Sequence, residues 1–373
     1  MPRMKPVAVC LLFLTLHAAT VAGAGDSDPA LELIQPAGDG THFVRADSGT
    51  RFVAWGVNYD HDADGRLLED YWQAEWQTVI EDFREIKALG ANVVRIHLQT
   101  GKFMESPDKP NQAALTQLSR LVKLAEDTGL YLDITGLGCY HKDDVPGWYD
   151  AMGEGERWEV QARFWRAVAQ TCAESPAVFC YDLMNEPVLT GGKDAEKWLP
   201  GDGLGGKFFV QRITLDLRGR TRKEVARAWV DRLVGAIREV DDRHMVTVGV
   251  IPWAHVWPNA KPFFYSPEVG EKLDFVSVHF YPEKGKVDKA LKALKVYDVG
   301  KPLVVEEMFP LKCGMDEMEE FIDRSRGIAD GWISFYWGKT PEEYAAEEGI
   351  SPAIKKKWLE RFRTKGREIL QKG

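Results

Sequence analysis

From residue 51 onward, helical and extended patterns alternate along the chain, and this alternation restricts it to a small number of folds. Helices are predicted at residues 69–88, 111–128, 155–174, 222–240, 287–297 and 316–326, and a last amphipathic helix ends the chain. Strands are predicted at residues 52–57, 91–96, 130–135, 177–184, 245–250, 273–280, 303–305 and 331–337. Most of these strands are nearly continuous in Val, Ile, Leu and Phe, which is typical of parallel strands covered by helices on both faces.

Eight strands of this kind predict an α/β fold of the (β/α)8 TIM-barrel type. A doubly wound open sheet is the alternative, but no G-x-G-x-x-G motif follows the first strand. A turn-rich break at residues 46–49, between two short extended runs, predicts an N-terminal β-hairpin that precedes the barrel. Because no repeat or linker divides residues 25–373, we expect a single domain there.

The first 24 residues have the layout of a secretory signal peptide. Arg3 and Lys5 precede an apolar run, and small residues ending in Ala22-Gly23-Ala24 follow it. We therefore expect secretion or export to the periplasm, and no membrane association after the signal is removed. Four further cysteines, Cys139, Cys172, Cys180 and Cys313, allow three disulfide pairings or free thiols, and the sequence does not choose among them.

The charge and the motifs exclude several other classes of protein. The chain has 373 residues and a formal net charge of −9 at pH 7, so it offers no long-range attraction to nucleic acid. No C-x-x-C, H-x-H or H-E-x-x-H motif occurs, so a dedicated metal site is not expected. A barrel metalloenzyme using His97, His141 and His279 is kept as a minor alternative.

Acidic residues follow two of the predicted strands, at the end of a barrel strand where catalytic groups are found. The fourth strand ends in Asn185-Glu186-Pro187, and the proline predicts an extended backbone at Glu186. The seventh strand ends in Glu306-Glu307. Alternation does not decide which of these two glutamates faces the barrel interior, because a shift of one residue exchanges the two faces.

Two carboxyl groups facing each other across a barrel mouth suit glycoside hydrolysis, in which one protonates the leaving oxygen and the other attacks or activates water. Arg95 ends the second strand, and His279 and Tyr281 project from one face of the sixth, so these three are candidate partners of the carboxylates. Trp253, in the region after the fifth strand, is a candidate stacking surface for a sugar ring, and Asn58 follows the first strand.

Taken in order, these elements resemble glycoside hydrolase family 5, the cellulase and mannanase family. The resemblance is carried by Gly90 to Ile96, Asn185-Glu186-Pro187, His279-Phe280-Tyr281, Lys301 to Glu307, and Trp337, and it covers nearly the whole chain after the signal. It implies a retaining β-glycosidase of endo-glycanase type that acts on a β-linked oligosaccharide or polysaccharide and requires no cofactor. We expect a monomer.

The resemblance also implies a role for each matching residue. Glu186 would be the acid/base and Glu307 the nucleophile. Asn185 would bind the 2-hydroxyl of the sugar. Arg95 and Tyr281 would hold the nucleophile, and His279 would line the site. Trp337 would be the platform for the sugar ring.

One position departs from the family pattern. The family usually has Asp-x-His at the end of the third strand, whereas this chain has Asp133-Ile134-Thr135. His141, in the following loop, is expected to compensate. The departure also motivates a second hypothesis, a carbohydrate-binding barrel with impaired catalysis.

Overall fold

Eight parallel strands form the closed sheet of the structure, a computed structural model that describes residues 30–191, 193–201, 206–335 and 337–371. We label them β1 to β8 along the chain. They are β1 Ala54–Asn58, β2 Val93–Gln99, β3 Tyr131–Gly138, β4 Val178–Asp182, β5 Met245–Thr247 with Gly249–Val250, β6 Val276–His279, β7 Leu303–Met308 and β8 Gly331–Ser334.

The pairing of the strands confirms the barrel. Each strand pairs in parallel with its sequence neighbours, and β8 pairs with β1. The two segments of β5 complete the ring, since Met245–Thr247 pairs with β4 and Gly249–Val250 pairs with β6. A doubly wound sheet would have two open edges, so that alternative is wrong.

Long helices cover the outside of the barrel after every strand except β5. They are Trp76–Ala88, Gln112–Thr128, Glu154–Cys172, Arg222–Arg238, Val287–Lys295, Met315–Ser325 and Ile350–Leu370. After β5 the chain has only the short helix Trp253–Val256 before β6. Other short helices are Leu68–Tyr71, Thr100–Phe103, Gly147–Asp150 and Pro341–Ala345, with a 3-10 turn at Lys142–Asp144.

Local signals explain several of these boundaries. The Asn111 side chain accepts hydrogen bonds from the first turn of the helix Gln112–Thr128, and Gly129 ends that helix in the left-handed conformation. The helix predicted at residues 69–88 is instead two helices. The backbone carbonyl of Asp60 and the side chain of Asp70 hold the start of the first one, which ends at Tyr71.

The N-terminal hairpin is part of a three-stranded antiparallel sheet that packs against the start of the barrel strands. Its strands are Ile34–Pro36, Phe43–Arg45 and Arg51–Phe52. The Phe43 ring lies 5.3 Å from the Phe179 ring and 5.2 Å from the Phe275 ring, centroid to centroid. Apolar side chains therefore fill the end of the barrel opposite to the strand ends that carry the acidic residues.

Two further features bear on the predictions. In the described part of the chain, no helix is both long enough and apolar enough to cross a membrane. Cys139, Cys172, Cys180 and Cys313 are free thiols, the first three of them buried. The predicted signal peptide lies outside the described residues.

The last helix packs on β1 so closely that Gly366 has no room for a side chain. A Cβ atom at Gly366 would lie 2.4 Å from Nε1 of Trp55. We expect Gly366→Ala to lower the free energy of unfolding by about 1–3 kcal/mol, because the buried indole would have to move.

Gly235 is the matched control, because it also lies in a long helix and a Cβ there would meet nothing within 4 Å. Gly235→Ala should raise the free energy of unfolding by up to about 1 kcal/mol. Urea unfolding of the two variants measures both effects, and equal stabilisation would show that Gly366 is not at a close contact.

Candidate active site

The guanidinium of Arg95, on β2, lies at the centre of a buried polar cluster inside the barrel. Its Nη1 donates to Oδ1 of Asn58 at 3.0 Å and to Oε1 of Glu307 at 2.8 Å. Its Nη2 donates to Oδ2 of Asp182 and to Oδ1 of Asn185, each at 2.9 Å. One cation thus joins groups from β1, β4 and β7, and Arg95 is completely buried.

Both glutamates at the end of β7 face inward, at different depths. On β6, Val278 pairs with Val305 and His279 pairs with Glu307, so β7 carries one extra residue at Glu306. This β-bulge breaks the alternation of faces, which explains why the sequence pattern could not decide between the two. Glu307 is 8% exposed at the mouth, whereas Glu306 is fully buried beneath it.

Glu186 lies at the opposite side of the mouth, just after β4. Its φ of 49° is in the left-handed region, so the extended backbone predicted from the following proline is wrong. The backbone N–H of Glu186 donates to the carbonyl of Gly249 on β5 at 2.9 Å, and this bond holds the turn. A non-glycine residue in this region costs about 1–3 kcal/mol, and such strain is often found at functional sites.

His279 and Tyr281 connect the carboxylates. Nδ1 of His279 lies 2.9 Å from Oε1 of Glu186, and Nε2 lies 3.3 Å from Oε2 of Glu306. The Tyr281 hydroxyl donates to Oε2 of Glu307 at 2.8 Å. Burial and the Glu307 charge raise the pKa of Tyr281 well above its ordinary value, so the hydroxyl stays a donor.

The buried groups adjust one another's protonation. Burial disfavours the charged form of His279, but the charge of Glu307 and the bonds to Glu186 and Glu306 outweigh it and raise the pKa of His279 to about 10. Burial also disfavours ionised Glu306, yet Arg95 and His279 lower its pKa to about 2. Burial and the charge of Glu306 raise the pKa of Asp133 well above its ordinary value, which favours its protonated form.

Thr135 is part of this cluster, in the position where the family has a histidine. Its hydroxyl donates to Oδ2 of Asp182 at 2.9 Å, and the backbone N–H of Gly249 donates to Oδ1 of Asp182 at 2.7 Å. Burial and the Glu306 charge raise the pKa of Asp182 to about 6, against the effect of Arg95. His141 is half-buried, and its ring forms no hydrogen bond or ion pair with any described residue, so it does not take the histidine's place in the cluster.

The aromatic candidates lie in different surroundings. Trp337 is 1% exposed and donates its indole N–H to Asp82, so its ring presents no open face as a platform. Trp253, in the short helix after β5, stacks on Trp257, with ring centroids 5.2 Å apart and an angle of 27° between the planes. Trp257 is 58% exposed. This pair forms an aromatic surface at the same end of the barrel as the cluster.

Among the described residues, one group could hold a metal ion. It consists of Glu186, His279 and Glu307, since one ligand atom of each lies within 4.8 Å of the others. A metal-bound imidazole must be neutral at the coordinating nitrogen. The raised pKa of His279 therefore opposes metal binding. Its two ring N–H groups are instead suited to donate to Glu186 and Glu306.

The sequence interpretation missed two buried acids, Asp182, which bonds Arg95 directly, and Asp133, whose charge acts on Arg95. A signal was present, because each interrupts a strand that is otherwise apolar and an acid in such a strand needs a partner. His97 and Tyr140 were missed as a pair as well. Nδ1 of His97 bonds the Tyr140 hydroxyl, and Nε2 lies 3.2 Å from Oδ1 of Asn58.

An α/β barrel with two carboxylates facing each other across its mouth is the arrangement found in glycoside hydrolases. Comparison with known proteins agrees. The sequence model described as Cellulase (glycosyl hydrolase family 5) matches residues 56–339. The chain therefore belongs to glycosyl hydrolase family 5.

The individual relatives have low sequence identity to this chain. Mannan endo-1,4-beta-mannosidase 5 of Arabidopsis thaliana is 26% identical over 123 residues, which cover 29% of this chain and 22% of that protein. Exo-beta-1,4-mannosidase Op5Man5 from Opitutaceae bacterium strain TAV5 is 18% identical with a TM-score of 0.64, over 89% of this chain and 62% of that chain. The catalytic domain of Thermobifida fusca endoglucanase Cel5A is 15% identical with a TM-score of 0.60, over 90% of this chain and 97% of that chain. At these identities, the structural likeness shows the fold.

We expect the His279 ring to carry both protons at pH 8, where an ordinary histidine is neutral, because its pKa is raised to about 10. The ¹⁵N shifts of the ring, assigned with a His279→Gln variant, measure this. Glu307→Gln should lower the pKa of His279, since the Glu307 charge is its largest stabilising influence, whereas Glu271→Gln at an exposed site should not. A neutral ring at pH 8 would contradict the cationic bridge between Glu186 and Glu306.

Proposed function

We propose that this protein is a retaining β-glycosidase, with Glu307 as nucleophile and Glu186 as acid/base. The observation that carries the proposal is that carboxylate oxygens of these two residues lie within 4.8 Å of each other. Retaining glycosidases have their two carboxyl groups about 5–5.5 Å apart, whereas inverting ones need about 6.5–9.5 Å to admit a water molecule. Double displacement therefore fits this mouth better than inversion.

The surroundings of Glu307 suit a nucleophile. One of its carboxylate oxygens accepts from Arg95 and the other from Tyr281, each at 2.8 Å. These bonds fix the direction of the carboxylate. In the first step Glu307 would attack the anomeric carbon and form a glycosyl ester, while Glu186 donates a proton to the leaving oxygen.

In the second step Glu186 would take a proton from water, which attacks the same carbon and releases Glu307. His279 holds Oε1 of Glu186 at 2.9 Å and so orients the carboxyl group for both proton transfers. The two steps together invert the anomeric carbon twice, which keeps its configuration.

We propose that Asn185 and Tyr281 contact the sugar held over Glu307, and that His279 contacts the neighbouring sugar at Glu186. Asn58 is fully buried, and its side-chain amide already bonds Arg95, His97 and the carbonyls of Glu306 and Ser334, so we propose that it supports Arg95 instead. The Asn185 side chain is oriented by two bonds, since it accepts from Arg95 and donates to the carbonyl of Phe209 at 3.0 Å. One amide hydrogen remains for the sugar's 2-hydroxyl. Trp253, with its partner Trp257, is proposed as a stacking surface for the leaving part of the chain. The Trp337 ring would have to be uncovered before it could contact a sugar, because it is 1% exposed. His141 remains a proposed sugar contact.

We propose a β-linked glucan or mannan as the substrate, since the relatives are named as mannosidases, mannanases and an endoglucanase. The enzyme is proposed to be secreted or periplasmic and monomeric, with residues 1–24 as signal peptide and residues 25–373 as catalytic domain. Whether a glycan is cut internally or at its end depends on the shape of the cleft on the side of the sugar held over Glu307.

Substitution of either carboxylate tests the mechanism. We expect Glu186→Gln and Glu307→Gln each to lower kcat by at least about 1,000-fold on a panel of β-glucans and β-mannans, because each removes a group that acts in the transition state. Glu283→Gln, at a partly exposed site in the loop after β6, is the control and should retain wild-type rates.

Two measurements separate the roles. Proton NMR of the first product should show the β-anomer, and a 2-fluoro-sugar inactivator should label Glu307, as located by peptide mass. An α-anomer as first product would refute double displacement. Binding of glycans without turnover by the wild type would favour the impaired carbohydrate-binding barrel instead.

A further inference from the structure

Asp60, two residues beyond the end of β1, is a fully buried carboxylate with one unused oxygen. Its Oδ1 lies 2.8 Å from Nδ1 of His61, and its Oδ2 has no hydrogen-bond partner among the described residues. Burial opposes ionisation, but the bond to His61 and the charges of His61, His97 and Lys207 lower the pKa of Asp60 well below its ordinary value. Buried ionised oxygens are rarely left without a donor, so this one requires an explanation.

Lys207 approaches Asp60 from a different part of the chain, the long loop after β4. The residue is 9% exposed and forms no ion pair with any described residue. Burial lowers the pKa of its ammonium group, and the charges of Asp60, Asp62 and Asp70 act in the opposite direction. A Cβ atom at Gly65 would lie 3.8 Å from Nζ of Lys207, so the β4 loop reaches the β1 loop at this point.

The two groups lie on one particular side of the candidate active site. Residues next to Lys207 bond the site directly, since Phe208 donates its N–H to the carbonyl of Tyr140 and Asn185 donates to the carbonyl of Phe209. The Tyr140 and Phe209 rings are 4.9 Å apart. Asp60 and Lys207 thus belong to the side formed by Asn58, Tyr140 and Asn185.

The other side of the site is formed by His279 and Tyr281, where His279 holds the proposed acid/base. If the proposed function holds, the leaving part of the glycan lies at Glu186 and His279, and the sugar attacked by Glu307 lies against Asn185. Asp60 and Lys207 then lie on the glycone side, which holds the sugar attacked by Glu307. Cleavage inside a glycan chain would require space for further sugars beyond that side.

The unused oxygen of Asp60 is an acceptor, and the ammonium group of Lys207, whose charge acts on Asp60, is a donor without an ion-pair partner among the described residues. Neighbouring hydroxyls of a sugar ring offer the matching pair, because each hydroxyl can donate to one group and accept from the other. We propose that Asp60 and Lys207 bind two adjacent hydroxyls of the non-reducing terminal sugar and close the glycone end of the cleft. This inference rests on the proposed function and replaces the internal cleavage expected from the family resemblance with removal of single sugars from chain ends.

Product analysis of the wild type tests the closed end. With β-glucan or β-mannan oligosaccharides labelled at the reducing end, we expect the monosaccharide and the chain shortened by one unit as the first products, with little loss of polysaccharide viscosity. A ladder of internal products would overturn the inference and leave the retaining mechanism intact.

Variants test the two residues themselves. Asp60→Asn and Lys207→Met should each lower kcat/KM on an aryl β-glycoside by about 100-fold, because each leaves a sugar hydroxyl without its partner. Asp64→Asn and Lys197→Met, exposed residues of the same two loops, are the matched controls and should stay near the wild-type rate.

Deoxy sugars separate recognition from a purely structural role. The wild type should show a lower kcat/KM on one monodeoxy form of the aryl glycoside than on the parent compound. Asp60→Asn or Lys207→Met should lose that discrimination. The loss in kcat/KM from the substitution and the loss from the missing hydroxyl are therefore not additive. If Asp60→Asn does not fold, Lys207→Met carries the same test. Additive losses at every ring position would overturn the inference.

If the wild type turns over none of the β-glycans, the proposed function is refuted. Binding measured by calorimetry then still tests the sugar site at Asp60 and Lys207. The ligand is then the β-linked disaccharide itself. Binding weakened by Asp60→Asn and Lys207→Met, and not by the two controls, would support the pair as a sugar site. Binding that is absent, or unchanged in both variants, would overturn it.

Discussion

The buried guanidinium of Arg95 is the interaction on which the rest of the site depends. Arg95 is the only lysine or arginine within the eight barrel strands, which carry four acids, Asp133, Asp182, Glu306 and Glu307. Moving an ion from water into a protein interior costs several kcal/mol unless it is paired and hydrogen-bonded. Arg95 meets this demand for several of the acids together, and the bonds it forms place Asn58, Asn185 and Glu307 at fixed positions around the mouth.

Irregular backbone at two strands completes the arrangement. The bulge in β7 lets consecutive glutamates face inward, one at the mouth and one below it. The left-handed backbone at Glu186 directs the other carboxyl group across the mouth. Gly249 leaves the space that the side chains of Glu306 and His279 occupy, because a Cβ atom at Gly249 would lie 2.5 Å from Oε2 of Glu306 and 2.9 Å from Nε2 of His279. A regular barrel could not bring these groups so close together.

His279 joins the mouth to the buried layer beneath it, because one ring nitrogen faces Glu186 and the other faces Glu306. In the proposed mechanism Glu307 loses its negative charge when it becomes a glycosyl ester. The buried carboxylate of Glu306 remains and continues to hold the His279 cation, so the orientation of Glu186 is maintained between the two steps. Thr135, at the position where the family has a histidine, contributes to the same layer through its hydrogen bond to Asp182.

The sequence by itself determined the barrel, its strand order, the N-terminal hairpin and the residues that align with the family, because apolar runs and helical periodicity are local properties of the chain. Only the tertiary structure decided the depth of Glu306 relative to Glu307, the backbone of Glu186 and the burial of Trp337. The same holds for the neighbourhood of Asp60 and Lys207, which lie 147 residues apart by their numbers. Each of these depends on register shifts or on loops from distant strands that meet at one end of the barrel, and no local pattern records such meetings.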